Sequence, residues 1–204
     1  MKEGLFITLE GVEGAGKTTL VDFIENLLVK AGHNVVKTRE PGGTKIGEQI
    51  REILLKNENN ELTDDTELLL IFAARAQHIK EVILPSLSSG KIVLCDRFTD
   101  ASYAYQGGGR GIDESRINLL EKWVQSNLRP DLTILFDLDV TLGLERTKKR
   151  SKSDRFEEEK IVLSQSPLAP LITNHAAIVS VKTWSTALSF AFFAKGIFLT
   201  YKFF

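Results

Sequence analysis

The stretch LEGVEGAGKTTL, residues 9–20, has the residue types and spacing of a polyphosphate-binding loop. Gly11, Gly16, Lys17 and Thr18 satisfy the pattern G-x-x-x-x-G-K-[ST]. Glycines let backbone amides converge on phosphate oxygens, a lysine reaches the β- and γ-phosphates, and a threonine hydroxyl ligates Mg²⁺. The alternative is a glycine-rich turn without a ligand. The residues expected at the triphosphate are Gly11, Val12, Glu13, Gly14, Ala15, Gly16, Lys17, Thr18 and Thr19.

A second polar stretch, VLCDRFTDASYAYQGGGRG, begins as an apolar run and continues into Asp96 and Arg97. A carboxylate at the end of a buried strand is costly without a partner. We therefore expect Asp96 to face Mg²⁺ or its water, and Arg97 to hold an anionic substrate. The alternative is an Asp–Arg pair that only caps the following helix.

A third stretch, ERTKKRSKSDRFEEEK at 145–160, is dense in both charge signs. Such a run is ordinarily a solvated helical surface. It is also what a closing lid needs in phosphoryl transfer, because arginines neutralise the charge that spreads over the transferring group. Both interpretations are open from these residues alone.

The elements that must position these residues follow from the apolar pattern. Strands are predicted at Leu5–Leu9, Asn34–Thr38, Lys91–Asp96 and Leu132–Asp137, and helices at Thr18–Lys30, Ile46–Lys56, Thr66–Ser88 and Asp113–Leu128. This alternation predicts an α/β fold with a parallel sheet covered by helices on both faces. Ligands of such sheets bind beyond the carboxyl ends of the strands, and each polar cluster after a strand falls there.

The composition narrows the class of protein. The chain has 204 residues and a net charge of −1, so we expect one domain and no global basic field for nucleic acid. A single cysteine, Cys95, excludes an intramolecular disulfide framework and fits a reducing cytoplasm. The first apolar run is too short for a secretory signal.

With these residues in view, the chain resembles the bacterial thymidylate kinases (dTMP kinases), which are P-loop nucleoside monophosphate kinases. The resemblance covers about residues 5–160, in GVEGAGKTT, TREPGGT, FAARAQH, CDRFTDASYAYQGGGRG, RPDLTILFDLD and SDRFEEE. It implies the reaction of ATP and dTMP to ADP and dTDP with Mg²⁺, a three-layer P-loop fold with a five-stranded parallel sheet, and a homodimer. It also implies a kinase core over residues 1–160 with a lid at about 145–158.

The resemblance implies roles at the phosphates. Lys17 and Thr18 belong to the ATP site, and Glu13 takes an acidic loop position near the acceptor phosphate, metal or sugar. Position 15 is alanine rather than a basic residue, so the transition-state arginines are expected in the lid, at Arg146 and Arg150.

The resemblance also implies a dTMP site. Glu40 belongs to its nucleoside side, Arg51 and Arg97 are similar to arginines that grip the dTMP phosphate, and Arg75 would hydrogen-bond the thymine carbonyl. The position of the aromatic that stacks on the base holds Ile71, with Phe72 next to it, and either could cover the base.

Three residues after the second strand motif complete that implied site. Ser102 and Gln106 resemble the pair that reads the thymine edge, and Tyr105 matches the aromatic that crowds the ribose 2′ position. A kinase for another nucleoside monophosphate would share the loop, the Asp–Arg pair and the lid.

The resemblance stops after Lys160. Residues 161–204 contain no Asp, Glu or Arg, three Lys, and eight of the 17 aromatic residues. A change of reading frame is our first hypothesis for this shift, and the coding DNA tests it. There are two alternatives. One is a divergent tail that supplies the fifth strand at Ala177–Val181, and the other is a membrane-active segment at Trp184–Phe204. A nucleotide-binding protein without turnover, damaged in this tail, is the matching functional alternative.

Overall fold

The computed structural model describes residues 4–11, 17–56, 61–137, 177–182, 189–194 and 197–202. Its strands are β1 Leu5–Gly11, β2 Val35–Arg39, β3 Ile92–Asp96, β4 Leu132–Asp137, β5 Ala177–Lys182, β6 Ser189–Ala194 and β7 Ile197–Lys202. Its α-helices are α1 Lys17–Lys30, α2 Lys45–Leu55, α3 Asp64–His78, α4 Leu84–Ser88, α5 Thr99–Ser102 and α6 Glu114–Gln125.

Strands β1 to β5 form one parallel sheet in the order β2-β3-β1-β4-β5. The predicted parallel α/β sheet is confirmed, and its first four strands begin and end within two residues of the predicted bounds. The edge strand β5 pairs with β4 over Leu132–Asp137. The bounds of β5, Ala177–Lys182, match the fifth strand that the divergent-tail alternative places at Ala177–Val181.

Apolar side chains alternate between the two faces of the sheet and explain why helices cover both. Leu5, Ile7 and Leu9 of β1 join a buried cluster with the apolar stripe of α1. Phe6 points to the opposite face, where it packs with Ile83 and other residues that follow α3. Strands buried on both faces need this nearly continuous apolar sequence.

The predicted helix over Thr66–Ser88 is confirmed, because the chain is helical from Asp64 to Ser88. It is not α-helical throughout, since a π-helical turn at Ile79–Ile83 lies between α3 and α4. Pro85 is the physical reason, because proline has no amide N–H and its ring clashes with the carbonyl four residues earlier. In the wider turn the Leu84 amide donates to the Ile79 carbonyl, five residues back.

A second π-helical segment, Tyr103–Gly109, follows α5 and is called the π segment below. No sequence pattern had indicated a helix over these residues. It places consecutive side chains of the motif SYAYQ on one irregular turn close to α3, and π bulges often accompany functional sites.

The last two strands, β6 and β7, form a separate antiparallel hairpin. They lie in the stretch that was considered as a membrane-active segment. Among the residues that the structure describes, no helix is long and apolar enough to cross a membrane.

Candidate functional site

Three strands bring their polar residues to one edge of the sheet. Leu9 is in register with Asp96, and Asp96 is in register with Arg39. Glu10 and Glu40 are therefore the next residues on either side of the Asp96 strand end. The predicted meeting of these clusters at the carboxyl ends is confirmed by this register.

Lys17 begins α1 directly above this edge. Its Nζ donates to the Gly11 carbonyl at 2.8 Å, and the side chain is buried. Gly11 has a φ of 139°, and a Cβ there would lie 2.7 Å from the Phe136 carbonyl oxygen. Burial, together with the positive charge of Arg97, lowers the pKa of Lys17 to about 7. An anionic ligand at this position would favour the charged ammonium form again.

Asp96 and Thr18 were predicted as metal ligands. The Oδ1 atom of Asp96 is buried and has no hydrogen-bond partner among the described residues. Thr18 lies exposed in the first turn of α1. The described residues hold no group of three or more Asp, Glu, His or Cys side chains that could bind a metal alone. One carboxylate and one hydroxyl fit Mg²⁺, which retains water and shares its remaining ligands with phosphates.

Arg97 is held in an uncommon backbone conformation by the end of β1. Its φ is 70°, and its amide donates to the Leu9 carbonyl at 2.9 Å. The next amide, that of Phe98, donates to Glu10 Oε1 at 2.7 Å. A left-handed conformation costs a non-glycine residue about 1–2 kcal/mol, so these two hydrogen bonds keep Arg97 directed to the site.

Glu10 was not predicted as a site residue. Burial, reinforced by the negative charge of Asp100, raises the pKa of Glu10 to about 8 despite the opposing effect of Arg97. The signal in the sequence was a glutamate at the end of an apolar strand, immediately before the glycine-rich loop.

Arg75 occupies the centre of a fully buried polar cluster. Its Nε donates to Glu40 Oε2 at 2.7 Å, and its Nη2 donates to Ser102 Oγ at 3.0 Å and to the Phe98 carbonyl at 3.1 Å. Its Nη1 is buried without a partner among the described residues. The guanidinium lies 4.6 Å from the centroid of the Phe72 ring. Among the described residues, Arg75 therefore keeps one buried nitrogen that could donate to a ligand.

Glu40 has a second partner that the sequence did not reveal, His78. The His78 Nδ1 lies 2.9 Å from Glu40 Oε1, and its Nε2 lies 2.6 Å from Thr38 Oγ1. Gly43, with a φ of 79°, passes against this histidine, and a Cβ there would lie 2.7 Å from two of its ring atoms. Gly43 of TREPGGT thus allows the loop to pack on His78.

Two further predicted residues have hydrogen-bond partners within the protein. Arg51 Nη1 donates to the Pro41 carbonyl at 2.9 Å, so the arginine is tied to the same loop. Gln106 Nε2 donates to Glu67 Oε1 at 2.9 Å inside the protein. Glu67 was not predicted, because a lone glutamate in an amphipathic helix ordinarily faces solvent.

The structure brings Lys17, Asp96, Arg97 and Tyr105 to one edge of the sheet, while Arg75, Glu40, Ser102 and Phe72 form the adjoining buried cluster. Gln106 is buried on the π segment, against Glu67. Val12, Glu13, Gly14, Ala15, Gly16, Arg146 and Arg150 lie outside the described residues. Their roles stay predictions.

Comparison with known proteins gives a consistent result. The family model described as "Thymidylate kinase" matches residues 9–166. A thymidylate kinase of Pseudomonas savastanoi is 59% identical over 156 residues, which are 76% of this chain and 74% of that protein. One of Vesicomyosocius okutanii is 59% identical over 159 residues, or 78% of each chain.

A solved structure gives the same match in three dimensions. The crystal structure of thymidylate kinase from Ehrlichia chaffeensis has a TM-score of 0.65 and is 36% identical. The alignment covers 87% of this chain and 93% of that one.

Proposed function

Because the chain belongs to the thymidylate kinase family, a family of phosphotransferases, we propose that it transfers the γ-phosphate of ATP to dTMP. The observation that carries the proposal is the adjacency of two anion-binding groups. Lys17 Nζ donates to the Gly11 carbonyl and the Arg97 amide donates to the Leu9 carbonyl, so both residues are held at the carboxyl end of β1. The positive charge of Arg97 contributes to the lowered pKa of Lys17. Lys17 suits the triphosphate of the donor, and Arg97 suits the phosphate of the acceptor.

On the donor side, Lys17, Thr18, Thr19 and the amides after Gly11 would hold the ATP phosphates. Asp96 and Thr18 would hold Mg²⁺, directly or through its water. Mg²⁺ bound there would supply positive charge to the triphosphate. The support is the Asp96 Oδ1 atom, which is buried without a partner in the part of the chain that the structure describes, and the start of α1 at the lysine.

On the acceptor side, Arg97 and Arg51 would hold the dTMP phosphate. The Nη1 of Arg75, which has no partner among the described residues, would donate to a thymine carbonyl, with Ser102 and Gln106 on the same edge of the base. Phe72 is the better candidate for stacking on the base, because it lies against the Arg75 guanidinium. Tyr105, bound to Arg97, would lie against the sugar.

The reaction needs no general base. The second pKa of a phosphate monoester is about 6, so dTMP arrives mainly as a dianion whose oxygen can attack the γ-phosphorus directly. A bond forms from that oxygen to phosphorus as the bond from phosphorus to the β,γ-bridging oxygen breaks, and ADP leaves with that electron pair. The barrier is repulsion between anions, which Lys17 and Arg97 reduce while they hold both reactants in line.

Residues 1–160 would form the kinase core, with Arg146 and Arg150 on a lid at about 145–158 and with Glu13 in the loop. The family match ends at residue 166, which supports an end of the family-like core near this point, and the tail adds the edge strand β5 to the sheet of that core. A cytoplasmic location fits the substrates and the buried free thiol of Cys95.

A homodimer would cover the apolar side chains that α3 and α6 expose. Leu69 of α3 is 56% exposed, and Leu119 and Trp123 of α6 are 68% and 79% exposed. The two helices contact each other through the Arg116–Asp65 ion pair at 2.8 Å. Single apolar residues on a surface are common, but a tryptophan exposed to this degree suits an interface.

The experiment is a coupled ADP-release assay on the purified full chain with ATP and Mg²⁺. The acceptors are dTMP, dUMP, dCMP, dGMP and dAMP. The proposal predicts dTMP as the preferred acceptor. Higher activity on another monophosphate would make the chain a different nucleotide kinase. A thermal shift with an ATP analogue but no ADP release would identify a nucleotide-binding protein without turnover.

A further inference from the structure

The π segment is fixed to the neighbouring helices by two buried glutamates. Glu67 of α3 accepts from Gln106 at 2.9 Å, and Glu121 of α6 accepts from the Tyr103 hydroxyl at 2.6 Å. Each carboxylate also pairs with an arginine. Arg110 lies 3.0 Å from Glu67, and Arg129 lies 2.8 Å from Glu121.

The two glutamates differ in what they hold. Gln106 is a predicted reader of the base, whereas Tyr103 has no predicted contact with a ligand. Both carboxylates are almost fully buried, at 1% and 3% exposure. A buried carboxylate that lost its partners would be costly, so both interactions are under strong constraint. They form a natural pair of test and control positions.

The chemistry of the Gln106–Glu67 contact determines the orientation of the amide. An ionised carboxylate only accepts hydrogen bonds, and a glutamine amide has one donating and one accepting end. The NH₂ group of Gln106 must therefore face Glu67, as its 2.9 Å contact shows. Arg110 donates to the other carboxylate oxygen of Glu67, Oε2, at 3.0 Å. The Oε1 atom of Gln106 is turned away from Glu67 as a fixed acceptor.

A fixed acceptor distinguishes two pyrimidines. Thymine carries an N3–H donor beside a carbonyl at C4, whereas cytosine carries an N3 acceptor beside an amino group. A hydrogen-bond acceptor at Gln106 pairs with the N3–H donor of thymine and is repelled by the N3 acceptor of cytosine. A glutamine whose amide could rotate by half a turn would accept either base.

We propose that Glu67 is the positioning residue that sets thymine selectivity, by holding the Gln106 amide with its oxygen toward the base. The inference rests on the proposed function, since it concerns the dTMP site. It assigns no contact between Glu67 and substrate.

The test measures selectivity in binding, which a merely structural role would leave unchanged. Dissociation constants for dTMP and dCMP are measured by calorimetry on the full chain. In Glu67→Gln the new amide can donate or accept, so the Gln106 amide is no longer fixed. We expect the dCMP to dTMP ratio of constants to fall by about ten-fold, the effect of one mispaired hydrogen bond. The matched control Glu121→Gln, in an equally buried carboxylate on the same segment, should keep the wild-type ratio.

A second variant keeps the inference falsifiable if Glu67→Gln does not fold. The double variant Glu67→Gln with Gln106→Glu exchanges the two groups. An amide at position 67 can donate to a carboxylate at position 106, whose second oxygen remains an acceptor toward the base. We expect it to regain selectivity for dTMP. An unchanged ratio in Glu67→Gln, or a folded exchange variant without selectivity, would overturn the inference.

The outcomes separate this inference from the proposed function. A wild-type chain that binds dTMP selectively but forms no dTDP would contradict the proposed turnover. The role of Glu67 would then still be decided by the selectivity ratios of the variants. A wild-type chain that binds both nucleotides equally would overturn the inference, whatever its turnover.

Discussion

The Arg97 guanidinium donates a hydrogen bond to the Tyr105 hydroxyl at 2.7 Å and lies 5.0 Å from the centroid of the same ring. A residue on the loop after β3 is thus held by a residue of the π segment. The group expected to bind the acceptor phosphate and the group expected to contact its sugar form one unit.

Removing that hydroxyl should weaken acceptor binding. In Tyr105→Phe, the Arg97 guanidinium keeps its contact with the aromatic ring but loses the hydroxyl that accepts its hydrogen bond. A hydrogen bond to a charged group contributes about 1.5–3 kcal/mol. We expect kcat/KM for dTMP to fall by about ten-fold or more, mainly through KM. Steady-state kinetics measures it. Tyr103→Phe, whose hydroxyl binds Glu121, is the control and should leave KM unchanged.

Lys17→Ala should abolish turnover without unfolding the chain. The side chain supplies positive charge at the expected triphosphate, and loss of such a group typically costs about 10²–10³ in rate. The rate of ADP release measures the loss of turnover, and the circular dichroism spectrum shows whether the chain is still folded. Lys37→Ala is the control, because Lys37 is an exposed lysine paired with Asp22 and Glu25. A Lys17→Ala variant with control-like turnover would contradict the assignment.

Arg150→Ala tests the lid. A transition-state arginine changes kcat far more than KM, and its loss costs about 10³–10⁵ in rate. Arg116→Ala, in an exposed ion pair with Asp65, should have little effect on kcat. If the kcat of Arg150→Ala is near normal, Arg150 is not part of the catalytic lid.

Glu10 gives a prediction for stability against pH. Its pKa is about 8 in the folded chain and 4.5 in the reference state, so between these values the unfolded chain has lost a proton that the folded chain keeps. The free energy of unfolding therefore falls as pH rises through this window, by on the order of a few kcal/mol.

Urea unfolding of wild type and Glu10→Gln at about pH 5 and about pH 8 isolates this contribution. The glutamine still accepts from the Phe98 amide but does not titrate. We expect the variant to gain stability relative to wild type at the higher pH. Equal pH dependence in both proteins would show that Glu10 titrates normally in the folded chain.

Gly43→Ala should destabilise the protein more than Gly32→Ala. Both glycines have positive φ, at 79° and 86°, so both variants carry the same backbone strain. Only at Gly43 would the new Cβ meet other atoms, on His78 and Thr38, whereas nothing lies within 4 Å at Gly32. Denaturant midpoints measure the difference, and equal losses would contradict the packing explanation.

The sheet and the shared edge of its polar clusters could be predicted because apolar runs and the residues that end them are local signals. The π-helical turn before Pro85 was not predicted, although the proline is visible in the sequence, because the apolar pattern continues through the turn. Glu67 and His78 could not be recognised as buried partners from one chain, since their partners Gln106 and Glu40 are 39 and 38 residues away. Such pairing is decided by tertiary packing rather than by local pattern.

The most direct measurement is the formation of dTDP by the purified full chain from ATP, Mg²⁺ and dTMP, followed by chromatography. The account predicts that dTDP and ADP appear in equal amounts, and that Lys17→Ala forms neither above background. ATP consumption without dTDP, or dTDP formation that Lys17→Ala leaves intact, would contradict it.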